Sequence, residues 1–335
     1  MTPRTTVVIP TYNRSSLLRE AIASVLGQTC TDFEILISDN ASTDNVADVV
    51  ASFDDRRIHY HRHEHNVGMG ANYRFVLTEP ETEFIAYLSD DDLYTPNLLE
   101  TAVQALDAYP AAAYFASPAS YYGKISSGQL RPRAITDTTT PLMFLPPEQM
   151  VHFLGSDNPG PMSVIRKAVI NDSLQWPPLD YQPIDLFMLP QFMLQGGFIF
   201  SNTPLYQFRV HEDNVSLNPN ALVQRLRFNL MVWYGIRWIA QYLLAKGNCT
   251  IEDILSHGLT SPSEQHIVPL VVALASFDSP PALRTVARKI FDQRKDMDQW
   301  SSRFRLARRL GFWTLPLSEK VSQLRTRWRP YASLI

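Results

Sequence analysis

The sequence predicts an α/β fold, a mostly parallel sheet flanked by helices, with a helical region added at the C-terminus. Three observations carry this expectation. Short β-branched or apolar runs alternate with stretches of helical apolar spacing: Thr6-Val7-Val8-Ile9 precedes Leu17, Leu18, Ala21, Ile22 and Val25, and Phe33 to Ile37 precedes Val46, Val49, Val50 and Phe53. Each run ends in a polar turn, at Pro10-Thr11-Tyr12-Asn13-Arg14, at Ser38-Asp39-Asn40 and at Ser89-Asp90-Asp91-Asp92. From Pro219 onward the strands stop, and Leu222, Leu226, Leu230, Trp233, Ile236, Ile239 and Leu243 recur at helical spacing. Alternation of this kind implies right-handed crossovers, which bring the strand ends to one crevice. Thr11, Asp39 and Asp90 are expected to face it together.

The third strand is read at Ile58 to His65, where His59, His61, His63 and His65 share one face at period two. Four imidazoles could hold Zn²⁺, but same-face residues of a straight strand lie about 7 Å apart, too far for all four to reach one tetrahedral ion. A half-buried edge strand is the expected outcome. Asn66-Val67-Gly68-Met69-Gly70-Ala71-Asn72 then opens a helix through Phe75, Val76 and Leu77, and such a turn can aim backbone N–H groups at phosphate. It matches neither G-x-G-x-x-G nor G-x-x-x-x-G-K. Arg62 and Arg74 flank it, as candidate partners for diphosphate or as ordinary surface arginines.

The fourth strand, Phe84 to Leu88, delivers Asp90, Asp91 and Asp92 to the crevice. Crowded carboxylates repel one another, so a cation is the natural partner, and oxygen ligation favours Mg²⁺ or Mn²⁺ bridging to phosphate. The alternative is an acidic turn capping the helix that begins near Pro96. A helix at Leu98 to Leu106 and a strand at Ala112 to Phe115 continue the sheet. Ser117 to Thr140 has no clear period and reads as a long loop, in which Tyr121 and Tyr122 either stack on a sugar or meet solvent. Asp180 and Asp185 precede an apolar helix, Leu186 to Leu194, that Gly196-Gly197 can stop. A carboxylate there can act as a base or simply cap the helix.

A chain of 335 residues with 45% hydrophobic and 19% charged residues excludes wholesale disorder, and a net charge of −3 shows no global preference for nucleic acid. The charge is uneven. Arg284 to Arg329 holds 13 Lys and Arg against 4 Asp and Glu, a tail of +9 on a remainder of −12. With Phe304, Phe312, Trp313 and Trp328 interleaved among its arginines, the tail reads as a basic amphipathic surface for an anionic bilayer, or as helices packed on the catalytic domain or another subunit. No apolar run approaches the ~20 residues of a membrane span, and no apolar leader precedes the first strand. Cys30 and Cys249 form no C-x-x-C pair, so a reducing cytoplasm is expected, with peripheral contact at the inner membrane face.

Val8-Ile9-Pro10-Thr11-Tyr12-Asn13-Arg14, Ser38-Asp39-Asn40-Ala41-Ser42-Thr43-Asp44, Asn66-x-Gly68-x-x-x-Asn72 and Leu88-Ser89-Asp90-Asp91-Asp92 resemble, in order and spacing, glycosyltransferase family 2. The resemblance runs over about residues 5 to 211 and implies the Rossmann-like GT-A fold and a nucleotide-diphosphate sugar donor. It implies a donor site of Pro10, Thr11, Tyr12, Arg14, Asp39, Asn66, Gly68, Asn72, Asp90 and Asp91. It implies Asp91 as the metal ligand, with Asp92 second, and His211 of the Arg209-x-His211 segment returning to the metal or diphosphate; a loop histidine is the alternative. The family often writes its carboxylate motif Asp-x-Asp-Asp, whereas Ser89 stands first here. The base sits just before a helix in the family, which implies Asp185, with Asp180 in reserve.

The expectation is a metal-dependent inverting glycosyltransferase using Mn²⁺ or Mg²⁺ and a UDP- or dTDP-sugar, with a glycan, glycolipid or other hydroxyl acceptor. Residues 1–215 form the catalytic domain, its donor side about 1–117 and its acceptor side about 118–215, and residues 216–335 the helical region. A homo-oligomer is open, and no nucleic-acid motif is present. One rival is a sugar nucleotidyltransferase, disfavoured because the chain lacks a Gly-rich, Lys-bearing N-terminal loop. Another is a binding or scaffold protein that keeps the sheet without the chemistry.

Overall fold

Strand β1 (Thr5–Thr11) is the hydrogen-bonded centre from which the sheet grows, and Val7, Val8 and Ile9 are wholly buried. This computed structural model describes residues 2–123, 142–147, 162–176, 184–211, 240–241, 243–245, 247, 250–260 and 281–293. β1 pairs in parallel with β2 (Phe33–Asp39) on one side and with β4 (Phe84–Tyr87) on the other. β3 (Ile58–Arg62) adds to β2 and, among the described residues, pairs with no other strand, the edge position expected of it. It ends at Arg62, three residues short of the expected His65, because the chain leaves the sheet to reach the next helix.

The crossovers are helices whose apolar faces cover the sheet. In α1 (Ser15–Leu26), Leu18, Ala21, Ile22 and Val25 are buried at the three- and four-residue spacing that makes one face. α2 (Val46–Ala51), α3 (Met69–Thr78) and α4 (Leu98–Ala108) repeat the pattern. Past β4, the short β5 (Leu93–Tyr94) precedes α4, and β6 (Tyr114–Ala116) and β7 (Ala119–Gly123) follow it. β7 corrects the reading of an unstructured stretch from Ser117; its pattern was hidden because both faces are partly exposed.

β8 (Leu142–Leu145), β9 (Met162–Arg166), α5 (Ile184–Gly196), β10 (Phe198–Ser201) and β11 (Tyr206–Val210) complete the two sheets. The large sheet has the order β3-β2-β1-β4-β9-β6-β10-β8, with only β9 and β8 running against the rest. A three-stranded sheet, β5-β11-β7, stands beside it. α5 stops where Gly197 takes φ +73°, a left-handed turn that a side chain would strain.

The chain divides into two compact units, Met1–Met150 with Asn158–Met231, and Val151–Asp157 with Val232–Ile335. The first holds both sheets. In the second, helices Ile251–Thr260 and Pro281–Gln293 pack together through Ile254, Leu283, Val286, Ala287 and Ile290. The expected boundary at 215/216, Asp180, and the basic stretch beyond Gln293 lie outside the described residues. No described helix is long and apolar enough to cross a membrane.

Candidate active site

Strand register builds the site. β1 and β2 align Thr11 with Asp39, while β1 and β4 align Val8 with Tyr87. Three residues further along both chains, Thr11 Oγ1 donates to Asp90 Oδ2 at 2.8 Å. The crevice expected from the sequence therefore forms, with Thr11, Asp39 and Asp90 at one level. Pro10 lies within β1 opposite Ser38, and Tyr12 stands exposed at the lip.

The first two loops are tied to each other. The Asn13 amide donates to Ser42 Oγ at 2.9 Å, Asn13 Oδ1 accepts from the Thr43 amide at 2.7 Å, and Asp44 Oδ2 accepts from the Ser15 amide at 2.9 Å. Asn13 itself sits at φ +55°, a conformation Asn tolerates better than most residues. Asp39 is wholly buried. Its Oδ1 accepts from the Ser42 amide at 2.8 Å and its Oδ2 from Tyr60 Oη at 2.5 Å, with Arg62 Nη1 3.7 Å away.

Asn66, Gly68 and Asn72 fasten the third loop to the second. Asn66 Oδ1 accepts from Asn40 Nδ2 at 3.0 Å and from the Gly68 amide at 2.9 Å, and Asn40 Oδ1 accepts from the Val67 amide. Gly68 turns at φ +86° to start α3. Buried Asn72 Oδ1 accepts from Ser38 Oγ at 2.5 Å and faces His63 Nε2 at 3.2 Å. Arg74 leaves this group and lies over the Trp176 ring, 5.2 Å from its centroid. Of the four histidines, His59 meets Glu34, while His61 and His63 stand edge to face with centroids 4.7 Å apart, His61 stacked on Phe75 and His63 turned to Asn72.

The acidic turn has three different environments. Arg14 Nη1 donates to Asp90 Oδ1 at 3.0 Å and to Asp91 Oδ2 at 2.9 Å, so one guanidinium bridges both carboxylates. Asp91 Oδ2 also meets His211 Nε2 at 3.1 Å. Asp92 points the other way, its Oδ2 accepting from Tyr206 Oη and its Oδ1 from the Arg209 amide, each at 2.8 Å. Burial pushes Asp90 up to about 6, with Arg14 opposing the rise. Burial and then the Asp91 charge push Asp92 higher, to about 8.

Two side chains could serve a cation as donors here. Asp91 and His211 offer one carboxylate oxygen and one imidazole nitrogen, a set that suits Mn²⁺ and leaves the other positions to water and phosphate oxygens. Asp92 takes one protein donor on each oxygen, Tyr206 Oη and the Arg209 amide, and stands outside the Asp91–His211 contact. Among the described residues, no three His, Cys, Asp or Glu side chains gather as a metal site, the β3 histidines included. The Asp91–His211 pair therefore fits a metal that substrate helps to hold.

Several groups at the site were not singled out from the sequence. Tyr206 and Arg209 come from β11, and Arg209 also donates through Nε to the Asp91 carbonyl and through Nη2 to Glu20 of α1, while its guanidinium lies over Tyr122. Tyr60 was obscured by its histidine neighbours. Asp185 does not precede its helix as expected: α5 begins at Ile184, two residues earlier than read, and holds Asp185 in its first turn.

Comparison with solved structures gives the class of fold. Residues 1–349 of Staphylococcus aureus TarS, solved in complex with UDP-GlcNAc, superpose with a TM-score of 0.61 at 16% identity over 92% of both chains, and the shared architecture is GT-A. The chain belongs to glycosyl transferase family 2, whose family profile matches residues 6–174. Among curated relatives, the GalNAc(5)-diNAcBac-PP-undecaprenol beta-1,3-glucosyltransferase of Campylobacter jejuni is 36% identical over 105 residues, 30% of this chain and 34% of that one. An Escherichia coli enzyme, the UDP-Glc:alpha-D-GlcNAc-diphosphoundecaprenol beta-1,3-glucosyltransferase WfgD, is 32% identical over 100 residues, 30% of this chain and 40% of its own. The succinoglycan biosynthesis protein ExoW of Rhizobium meliloti is 36% identical over 117 residues, 33% and 37% of the two chains. The match thus spans well under half the length of each of these relatives.

Proposed function

We propose that this chain is a metal-dependent, inverting glycosyltransferase that moves a sugar from a UDP- or dTDP-sugar to a hydroxyl acceptor. The observation that carries the proposal is the meeting of Asp91 Oδ2 and His211 Nε2 at 3.1 Å, at the strand ends that also present Thr11 and Asp39. Asp91 and His211 would hold Mn²⁺ or Mg²⁺, and when bound the cation neutralises charge gathering on the departing diphosphate. With Nε2 as ligand, the imidazole carries its proton on Nδ1.

The protein's own groups do the rest. Asp39 offers carboxylate lone pairs to a nucleobase N–H, and Tyr12 offers its exposed ring as a stacking face. Asn66, Gly68 and Asn72 keep the loops around the donor in place. Asp185 accepts the proton of the acceptor hydroxyl as that oxygen bonds the anomeric carbon, while the bond from carbon to diphosphate oxygen breaks on the opposite face. A single displacement inverts the anomeric centre. The names of the Campylobacter and Escherichia relatives support a polyprenyl-diphosphate-linked glycan as acceptor, in bacterial glycolipid or surface-polysaccharide synthesis. A cytoplasmic enzyme touching the membrane through its basic stretch at 284–329 would meet such an acceptor.

Thermal unfolding with UDP, dTDP, GDP and CDP, each with Mn²⁺ or with chelator, tests the proposal, because a ligand of the native state raises the midpoint. One nucleotide stabilising only with metal is the expected result. No response to any of the four, in folded protein, favours the scaffold reading.

A further inference from the structure

We propose that Arg14 is a built-in competitor for the cation, which makes metal and nucleotide diphosphate bind together rather than metal alone. The inference rests on the metal reading of Asp91 and His211 and assigns Arg14 a role in how that site fills. Its basis is one oxygen. Asp91 Oδ2 faces His211 Nε2 at 3.1 Å, and the same Oδ2 accepts from Arg14 Nη1 at 2.9 Å. A cation shared by Asp91 and His211 would lie against a guanidinium bonded to its own ligand. Like charges at that range repel strongly in a partly buried site.

Arg14 is also held in place. The same nitrogen bonds Asp90 Oδ1 at 3.0 Å, Asp90 is fixed in turn by Thr11, and the side chain of Arg14 is largely covered. The guanidinium therefore satisfies two carboxylates at once, and a cation arriving alone must displace part of that bonding. A diphosphate changes the balance, because its negative oxygens accept from a guanidinium and ligate a hard cation at the same time. Arg14 can then turn from Asp91 to phosphate without losing a charged partner. The coupling is reciprocal, so nucleotide tightens the metal by the factor that metal tightens nucleotide.

Mn²⁺ titration of the full chain, followed by the electron paramagnetic resonance signal of free Mn²⁺, with and without UDP or dTDP, tests this. Wild type should take up Mn²⁺ weakly alone and on the order of tenfold more tightly with nucleotide. Arg14→Gln should bind Mn²⁺ alone on the order of tenfold more tightly than wild type and gain little from nucleotide. Arg14→Lys should gain by a smaller factor, and it carries the test should the Gln variant not fold. Arg74→Gln, whose guanidinium lies over the Trp176 ring instead, should leave Mn²⁺ uptake without nucleotide as in wild type; an equal gain there would make the effect one of general charge and overturn the role of Arg14. If wild type binds Mn²⁺ with nucleotide but neither Arg14 variant tightens Mn²⁺ alone, Arg14 does not compete and the metal site stands. If no protein binds Mn²⁺ with any nucleotide, the metal reading falls and this inference with it.

Discussion

Tyr60 on the edge strand donates its hydroxyl to Oδ2 of Asp39, so the carboxylate at the end of β2 is aimed by a residue from the strand beside it. Burial and then the Asp39 charge raise the phenol to about 12, which keeps it a donor throughout the physiological range. Tyr60→Phe leaves that buried carboxylate one hydrogen bond short. The expected cost is about 1–3 kcal/mol of stability, read from urea unfolding. UDP affinity by calorimetry should fall by about tenfold, since a carboxylate no longer aimed from β3 meets the base less well.

Asp185→Asn should reduce turnover by at least about a hundredfold, because the amide cannot accept the acceptor proton. Binding of donor nucleotide with Mn²⁺ should stay within about twofold of wild type. Parallel loss of both would make the residue a structural member of the first turn of α5.

Asp90 and Asp92 make the metal-free protein sensitive to pH in a direction opposite to most acids. Their folded values, about 6 and about 8, stand above the ordinary 3.8 of an Asp, with burial the first cause in each. From about pH 4 to pH 8 the folded chain retains protons that the unfolded chain releases, so stability declines as pH rises. Asp92→Asn should flatten the upper part of that decline. Urea midpoints measured across this range in chelator would show it, and a wild-type midpoint that rises with pH would contradict it.

Gly197→Ala should destabilise the first unit by more than about 1 kcal/mol. The residue turns at φ +73°, and an added Cβ would collide with the Leu145 carbonyl oxygen at the end of β8. A lower melting temperature with unchanged nucleotide affinity is expected, since this turn lies away from Asp39 and Asp91 in the sheet order.

The strand ends were legible because local pattern encodes them. Apolar runs at Val7–Ile9, Phe33–Ile37 and Phe84–Leu88 have strand period and length, and parallel register then fixes which turns share a level. The partners of the acidic turn were less legible. Tyr206 and Arg209 lie 114 and 117 residues from Asp92, and Arg209 lies 189 from Glu20, so no periodicity connects them. That Asp92 turns away from Asp91 and His211 follows from these distant donors. β7 escaped because a strand partly exposed on both faces has no apolar alternation to read.

The pairing of β7 with β11 sets Ala119 opposite Tyr206. Between those two positions the chain supplies β8, β9 and β10 to the large sheet, so only the connections between these strands can lengthen, at a cost in closure entropy that grows logarithmically. Those connections can thus change in length while Tyr206, Arg209 and His211 still arrive at the same carboxylates. Related chains would then diversify in those connections and stay constrained at the anchor.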